Sequence, residues 1–163
     1  MANRLVVADA SPLIGLAVAG EFDLLRKLFG RVMVTDAVRD EVLSGEDLPG
    51  SLELSNAIQA GWVVVVDVPF DAAAYPGLGA GEASTLGYAT GHRASCLVLI
   101  DDLLGRSHAK ANGLAHTGLA GVLVAAKKRG LLSEVRPLLG KLEAGNFRLS
   151  RQLVAALLEQ VGE

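Results

Sequence analysis

Leu5-Val6-Val7-Ala8-Asp9-Ala10-Ser11-Pro12-Leu13-Ile14 runs from four apolar residues into an acid and then into a pair of helix-starting residues. The stretch from Leu5 to Ala8 is bounded by polar residues and reads as a strand covered on both faces. Ser11 suits the N-cap of the following helix and Pro12 its first helical position. Asp9 is then left at the carboxyl end of a core strand. In open parallel sheets that rim is where ligands bind.

Outward from this stretch, strands and helices alternate. Phe22, Leu25, Leu28 and Phe29 recur at helical spacing before Gly30. A second strand is expected over 32–34, with Thr35 capping a helix over 36–43. The segment 45–50 reads as a loop, 51–60 as a helix, and 62–66 as a strongly β-branched third strand. Pro69, Pro76, Gly77, Gly79 and Gly81 mark 67–81 as a loop before a helix that opens at Glu82. A fourth strand over 96–100 ends at Asp101-Asp102, a helix follows from Leu103, and 114–116 reads as an edge strand. The remainder reads as helices over 118–129, 133–144 and 151–161, with Ser150 capping the last. This alternation predicts an α/β fold, a three-layer α/β/α sandwich around a mostly parallel sheet of four to five strands. One domain over 1–163 is expected, with 131–163 a helical extension packed on it.

Composition sets limits on function. With 51% hydrophobic and 20% charged residues, the 163-residue chain has the makeup of a folded protein. No apolar run nears the roughly 20 residues of a membrane span. Met1-Ala2-Asn3-Arg4 leads straight into the first strand with no secretory pattern. Cys96 stands alone, which excludes an internal disulfide and disfavours zinc. Together these features point to a cytoplasmic protein. A net charge of −3 argues against broad electrostatic attraction to nucleic acid, but it allows a local basic patch.

The acids carry the chemistry. Asp9, Asp36, Asp67 and Asp101 all stand at strand ends. Asp36 and Asp67 read as a helix opener and a turn residue. Glu41 falls beside Val38 and Val42 on the buried stripe of its helix, and a buried acid needs an ion, a proton or a base such as Arg4 or Arg39. Glu82 lies in the first turn of its helix, where an acid also complements the dipole. Of the pair at the fourth strand, Asp101 is the functional candidate and Asp102 a cap or auxiliary ligand. Two carboxylates about 4 Å apart repel by roughly 4 kcal/mol at an effective dielectric near 20. Asp9, Glu41, Glu82 and Asp101 gathered on one rim would therefore call for protons or cations. An all-oxygen donor set suits Mg²⁺ or Mn²⁺.

These residues, in this order and spacing, resemble the PIN-domain nucleases, and most of all the VapC-like toxins of prokaryotic toxin–antitoxin pairs. Asp9 with Ser11, Glu41 about thirty residues later, Leu78-Gly79-Ala80-Gly81-Glu82-Ala83, Leu99-Ile100-Asp101-Asp102, 121–131 and Gly145-Asn146-Phe147-Arg148-Leu149-Ser150 carry the likeness. The resemblance implies Mg²⁺- or Mn²⁺-dependent cleavage of single-stranded RNA, leaving 5′-phosphate and 3′-hydroxyl ends. It also implies a homodimer and a cognate antitoxin protein as partner. Carried over, Asp9, Glu41, Glu82 and Asp101 are the metal-binding catalytic acids and Ser11 supports them. Many relatives have Asp where this chain has Glu82, and the longer side chain alters the reach of that carboxylate.

Phosphate also needs cations. Arg93, before the fourth strand, and Arg106 and Lys110, on the helix after Asp102, are the RNA-binding candidates, with a surface pair between Arg106 and Asp102 as the alternative. Lys127-Lys128-Arg129 reads as dipole compensation at a helix end. The run Gly77 to Gly81 follows no strand directly and lacks the Lys-Ser/Thr ending of a phosphate loop. Two other functions compete with the nuclease. One is a catalytically silent PIN-fold interaction module. The other is a receiver-like phosphoacceptor domain, which would need a strand-end lysine that this chain lacks.

Overall fold

Five parallel strands form one sheet in the order β3-β2-β1-β4-β5. The computed structural model describes residues 4–45 and 47–163. The expectations for residues 1–3 and for position 46 of the loop over 45–50 lie outside the described residues. The strands are β1 (Leu5–Ala8), β2 (Val32–Thr35), β3 (Val63–Val66), β4 (Cys96–Leu99) and β5 (Ala115–Thr117). Register pairs Val7 with Met33, Leu5 to Ala8 with Cys96 to Leu99, and Leu97 to Leu99 with Ala115 to Thr117.

β1 is the centre because its residues are apolar on both faces. Val6 and Ala8 point into one core cluster and Val7 into the other, as the two-residue period of a strand requires. On the first side pack α1 (Ala10–Val18), α2 (Leu24–Phe29), α3 (Asp36–Leu43), α4 (Ser51–Ala60), α7 (Leu119–Lys128), α8 (Arg136–Ala144) and α9 (Arg151–Val161). On the other lie α5 (Ala80–Gly91) and α6 (Leu103–Ala111), through Leu86, Val98, Ile100 and Ala109. This is the expected α/β/α sandwich. No helix among the described residues is long and apolar enough to cross a membrane.

The chain builds outward from β1 through β2 to β3, then returns past β1 to add β4 and β5. The order therefore reverses between β1 and β4, and the crevice outside their carboxyl ends is the topological switch point. Asp9 follows β1 and Asp101 follows β4, so both face this crevice.

Several local expectations shift. Helix α1 starts at Ala10, with Asp9 in the N-cap position, so Ser11 and Pro12 lie inside the first turn. Pro12 is tolerated there because a first-turn N–H has no intrahelical partner. Helix α5 starts two residues before Glu82, and β4 stops one residue before Ile100. Thr35 does cap α3, accepting from the Val38 N–H at 3.2 Å, and Ser150 caps α9, accepting from Leu153 at 3.1 Å. Gly15 lets α1 approach α7 and Phe147, since a Cβ there would lie 2.7 Å from Leu119 and 2.9 Å from Phe147. That close approach anchors the helix that carries Asp9 at its head.

Candidate active site

Asp9 is only 3% exposed, and its Oδ1 is buried with no hydrogen-bond partner. Although it occupies the N-cap position of α1, its side chain makes no cap bond. Burial pushes its carboxyl up to about 7, and the charges of Glu82, Glu41 and Asp101 push the same way, against the nearby Ala10 amide. All three other candidate acids thus lie within electrostatic reach of Asp9. A buried polar atom without a partner is rare in folded proteins and commonly marks a ligand position.

Glu41 corrects its sequence reading. The residue is exposed rather than buried along its helix, and no ion pair to Arg4 or Arg39 forms among the described residues. Arg39 instead bonds Asp40 at 2.8 Å. Val38 and Val42 form the buried stripe of α3, and Glu41 stands at its edge with its side chain open to solvent. The Glu41 carboxyl is nonetheless held above its ordinary value, first by desolvation and then by Glu82.

The meeting point of Asp9 and Glu41 is Gly81. A Cβ at Gly81 would stand 2.8 Å from Glu41 Oε2 and 3.4 Å from Asp9 Oδ1. The missing side chain is what leaves room for both carboxylates. Glu82 is half-buried, and its Oε2 lies 2.9 Å from where a Cβ on Gly79 would be, so it folds back over the start of α5.

Asp101 is half-buried and fixed at both oxygens. Its Oδ1 accepts from the Leu119 N–H at 2.8 Å, and its Oδ2 accepts from the Ser11 hydroxyl at 3.4 Å. It thereby supplies the cap that Gly118 cannot give to α7. Gly118 leaves it room, since a Cβ there would collide with Asp101 Oδ1. Desolvation raises the Asp101 carboxyl, opposed by Leu119, Arg106 and Ser11.

The remaining candidates separate clearly. Asp102 is exposed and caps α6, accepting from the Gly105 N–H at 2.7 Å, so its cap reading holds. Arg106 is near enough to influence Asp101, and Lys110 stands exposed one turn further along α6. Arg93 lies just before β4, at the amino ends of the strands, and so on the rim opposite Asp9. Asp36 opens α3 as expected, and its carboxylate also accepts from the Val68 N–H at 3.3 Å, just past the end of β3. Sequence reasoning missed Gly81, Gly118 and the Leu119 amide. The available signal was a glycine placed immediately before an acid or a helix.

Carboxylate oxygens of this kind fit a hard divalent cation. The buried, unpartnered Asp9 Oδ1, facing the same gap as Glu41 Oε2, is the observation that supports the fit. As the side chains stand, no three His, Cys, Asp or Glu groups among the described residues form a ready ligand set. A family model described as a PIN domain matches residues 5–163. No curated protein and no solved structure matches the chain.

Proposed function

The chain belongs to the PIN-domain family, whose members are generally nucleases, and on that premise we propose that it is a divalent-metal-dependent endoribonuclease, the toxin of a toxin–antitoxin pair. Asp9, Glu41, Glu82 and Asp101 are the catalytic acids in this reading. The observation that carries it is the buried, unpartnered Asp9 Oδ1, which faces Glu41 Oε2 across the space left by Gly81.

Each residue has a distinct task. Asp9 and Glu41 present oxygens across Gly81, and Glu82 adds a third carboxylate from the first turn of α5. Ser11 and the Leu119 N–H hold Asp101 in one orientation at the other side of the crevice. Mg²⁺ or Mn²⁺ held here would polarise the phosphoryl group and activate water for in-line attack. In this reading Arg106, in the first turn of α6, would receive a phosphate of a single RNA strand entering over β4, with Lys110 one turn further along the same helix as a second contact. A homodimer and a cognate antitoxin protein complete the proposal as partners.

A second reading, a catalytically silent interaction module, is favoured by the lack of a ready three-group ligand set among the described residues. Incubation with end-labelled single-stranded RNA decides between them. Cleavage with Mn²⁺ or Mg²⁺, lost in chelator, is the expected result, with 5′-phosphate product ends. RNA left whole with either ion at neutral pH would establish the silent module.

Gly81→Ala tests the gap itself. The added methyl displaces the Glu41 carboxylate and crowds Asp9. Within a helix, alanine is otherwise favoured over glycine by roughly 0.5–1 kcal/mol. The expected outcome is a melting temperature equal or higher, with RNA cleavage lowered at least about tenfold. Thermal melts and initial rates on the same preparation check it.

A further inference from the structure

The opposite rim of the sheet, where the strands begin, carries the reverse charge. Arg4 leads into β1, Arg31 leads into β2, and Arg129 closes α7. The three line a cleft of about 930 Å³ whose walls include Phe29, Met33 and Leu97. Among the described residues no Asp or Glu lines this cleft, and none of the three arginines is ion-paired. Arg129 Nη1 donates to the Leu28 carbonyl at 3.0 Å, which fixes its direction. Arg4 and Arg31 are exposed.

In a chain of net charge −3, this is a strong local excess of cation. Dipole compensation accounts for Arg129 at a helix end. It does not account for Arg4 and Arg31, which precede strands whose net dipoles are small. Guanidinium groups pair with phosphate through two parallel hydrogen bonds. An apolar wall with a half-buried phenyl ring suits the flat face of a base. The volume falls in the range of small-ligand pockets.

We propose that this amino-rim cleft binds a phosphate-bearing nucleotide unit, its phosphate on Arg4, Arg31 and Arg129 and its base against Phe29 and Leu97, which share one side of the sheet. The site does not depend on the nuclease reading. The length of β1 alone, at about 3.3 Å per residue, puts it some 10 Å or more from Asp9. The ligand is a free nucleotide or one residue of an RNA strand, and the two sources are separable.

The test uses the full chain carrying Asp9→Asn, so that RNA stays intact, with and without the double substitution Arg4→Glu and Arg31→Glu. The probes are uridine monophosphate, adenosine monophosphate, inorganic phosphate and a labelled single-stranded RNA decamer, measured by calorimetry and fluorescence anisotropy. The expected result is saturable binding of a monophosphate or of the RNA, weakened at least tenfold by the double reversal with the melting temperature unchanged. For RNA, the dependence of log affinity on log salt falls by roughly 1.4, as loss of two phosphate contacts requires. Monophosphate binding assigns a free nucleotide, and binding of the decamer alone assigns a strand. Affinity that survives the double reversal, or no binding of either probe without it, overturns the site. Inorganic phosphate binding as tightly as the nucleotides overturns the base contact. Binding without metal-dependent cleavage by the unsubstituted chain would keep this site and remove the nuclease.

Discussion

Asp9→Asn is expected to make the metal-free protein more heat-stable at pH 8 while abolishing its RNA cleavage. The two effects have one cause. Burial and three neighbouring carboxylates push Asp9 from 3.8 up to about 7 in the folded chain. Between those values the native state holds a proton that the unfolded chain has released. Stability from this group is therefore complete below about pH 4 and is lost as pH rises through 7. A shift of this size corresponds to roughly 4 kcal/mol at pH 8. For a domain of this length, that is on the order of 10 °C in melting temperature. Asn carries no charge and escapes the penalty. The gain should be absent at pH 4, and Mn²⁺ should raise the melting temperature of the unsubstituted protein far more than that of the variant. Cleavage should fall by about 100-fold or more, because Asn donates poorly to a divalent cation. Melts at pH 4 and pH 8, with and without Mn²⁺, provide the check. An unchanged melt at pH 8, together with full cleavage, would remove Asp9 from the proposed mechanism.

Asp101 separates chemistry from architecture. Asp101→Asn keeps an oxygen for the Leu119 N–H and removes only the charge. Asp101→Ala removes both and leaves α7 without its cap. Loss of a cap costs about 1 kcal/mol, or roughly 2–4 °C for a domain of this length. Both variants should lose RNA cleavage by about 100-fold or more, whereas only the alanine variant should melt earlier than the parent. Full cleavage by the Asn variant would show that the residue serves α7 alone.

The sheet was legible in the sequence because its central strand is apolar on both faces and its neighbours are bounded by Gly, Pro and acids. Thr35, Asp102 and Ser150 were readable as caps because side-chain oxygens before helices have few other uses. The start of α1 was misplaced because Asp9 holds the cap position without capping. The depth of Glu41 was overestimated because a helical period gives direction and not distance to solvent. Arg93 was set beside the acids because proximity to a strand in sequence does not say which end of that strand is meant. Gly81 and Gly118 were hidden for a simpler reason: their contribution is the space left by a missing side chain.

The position of β1 between β2 and β4 also has a consequence during synthesis. Leu5 pairs with Cys96, about ninety residues later. At a translation rate of about 5–20 residues per second, the first strand waits roughly 5–20 s for its second neighbour. Throughout that interval Asp9 has been synthesised while Asp101 and the Leu119 amide have not. A chain terminated before β4 is complete therefore lacks Asp101, one of the four acids of the rim, and the cell that makes it meets the assembled arrangement only after α7 has been translated.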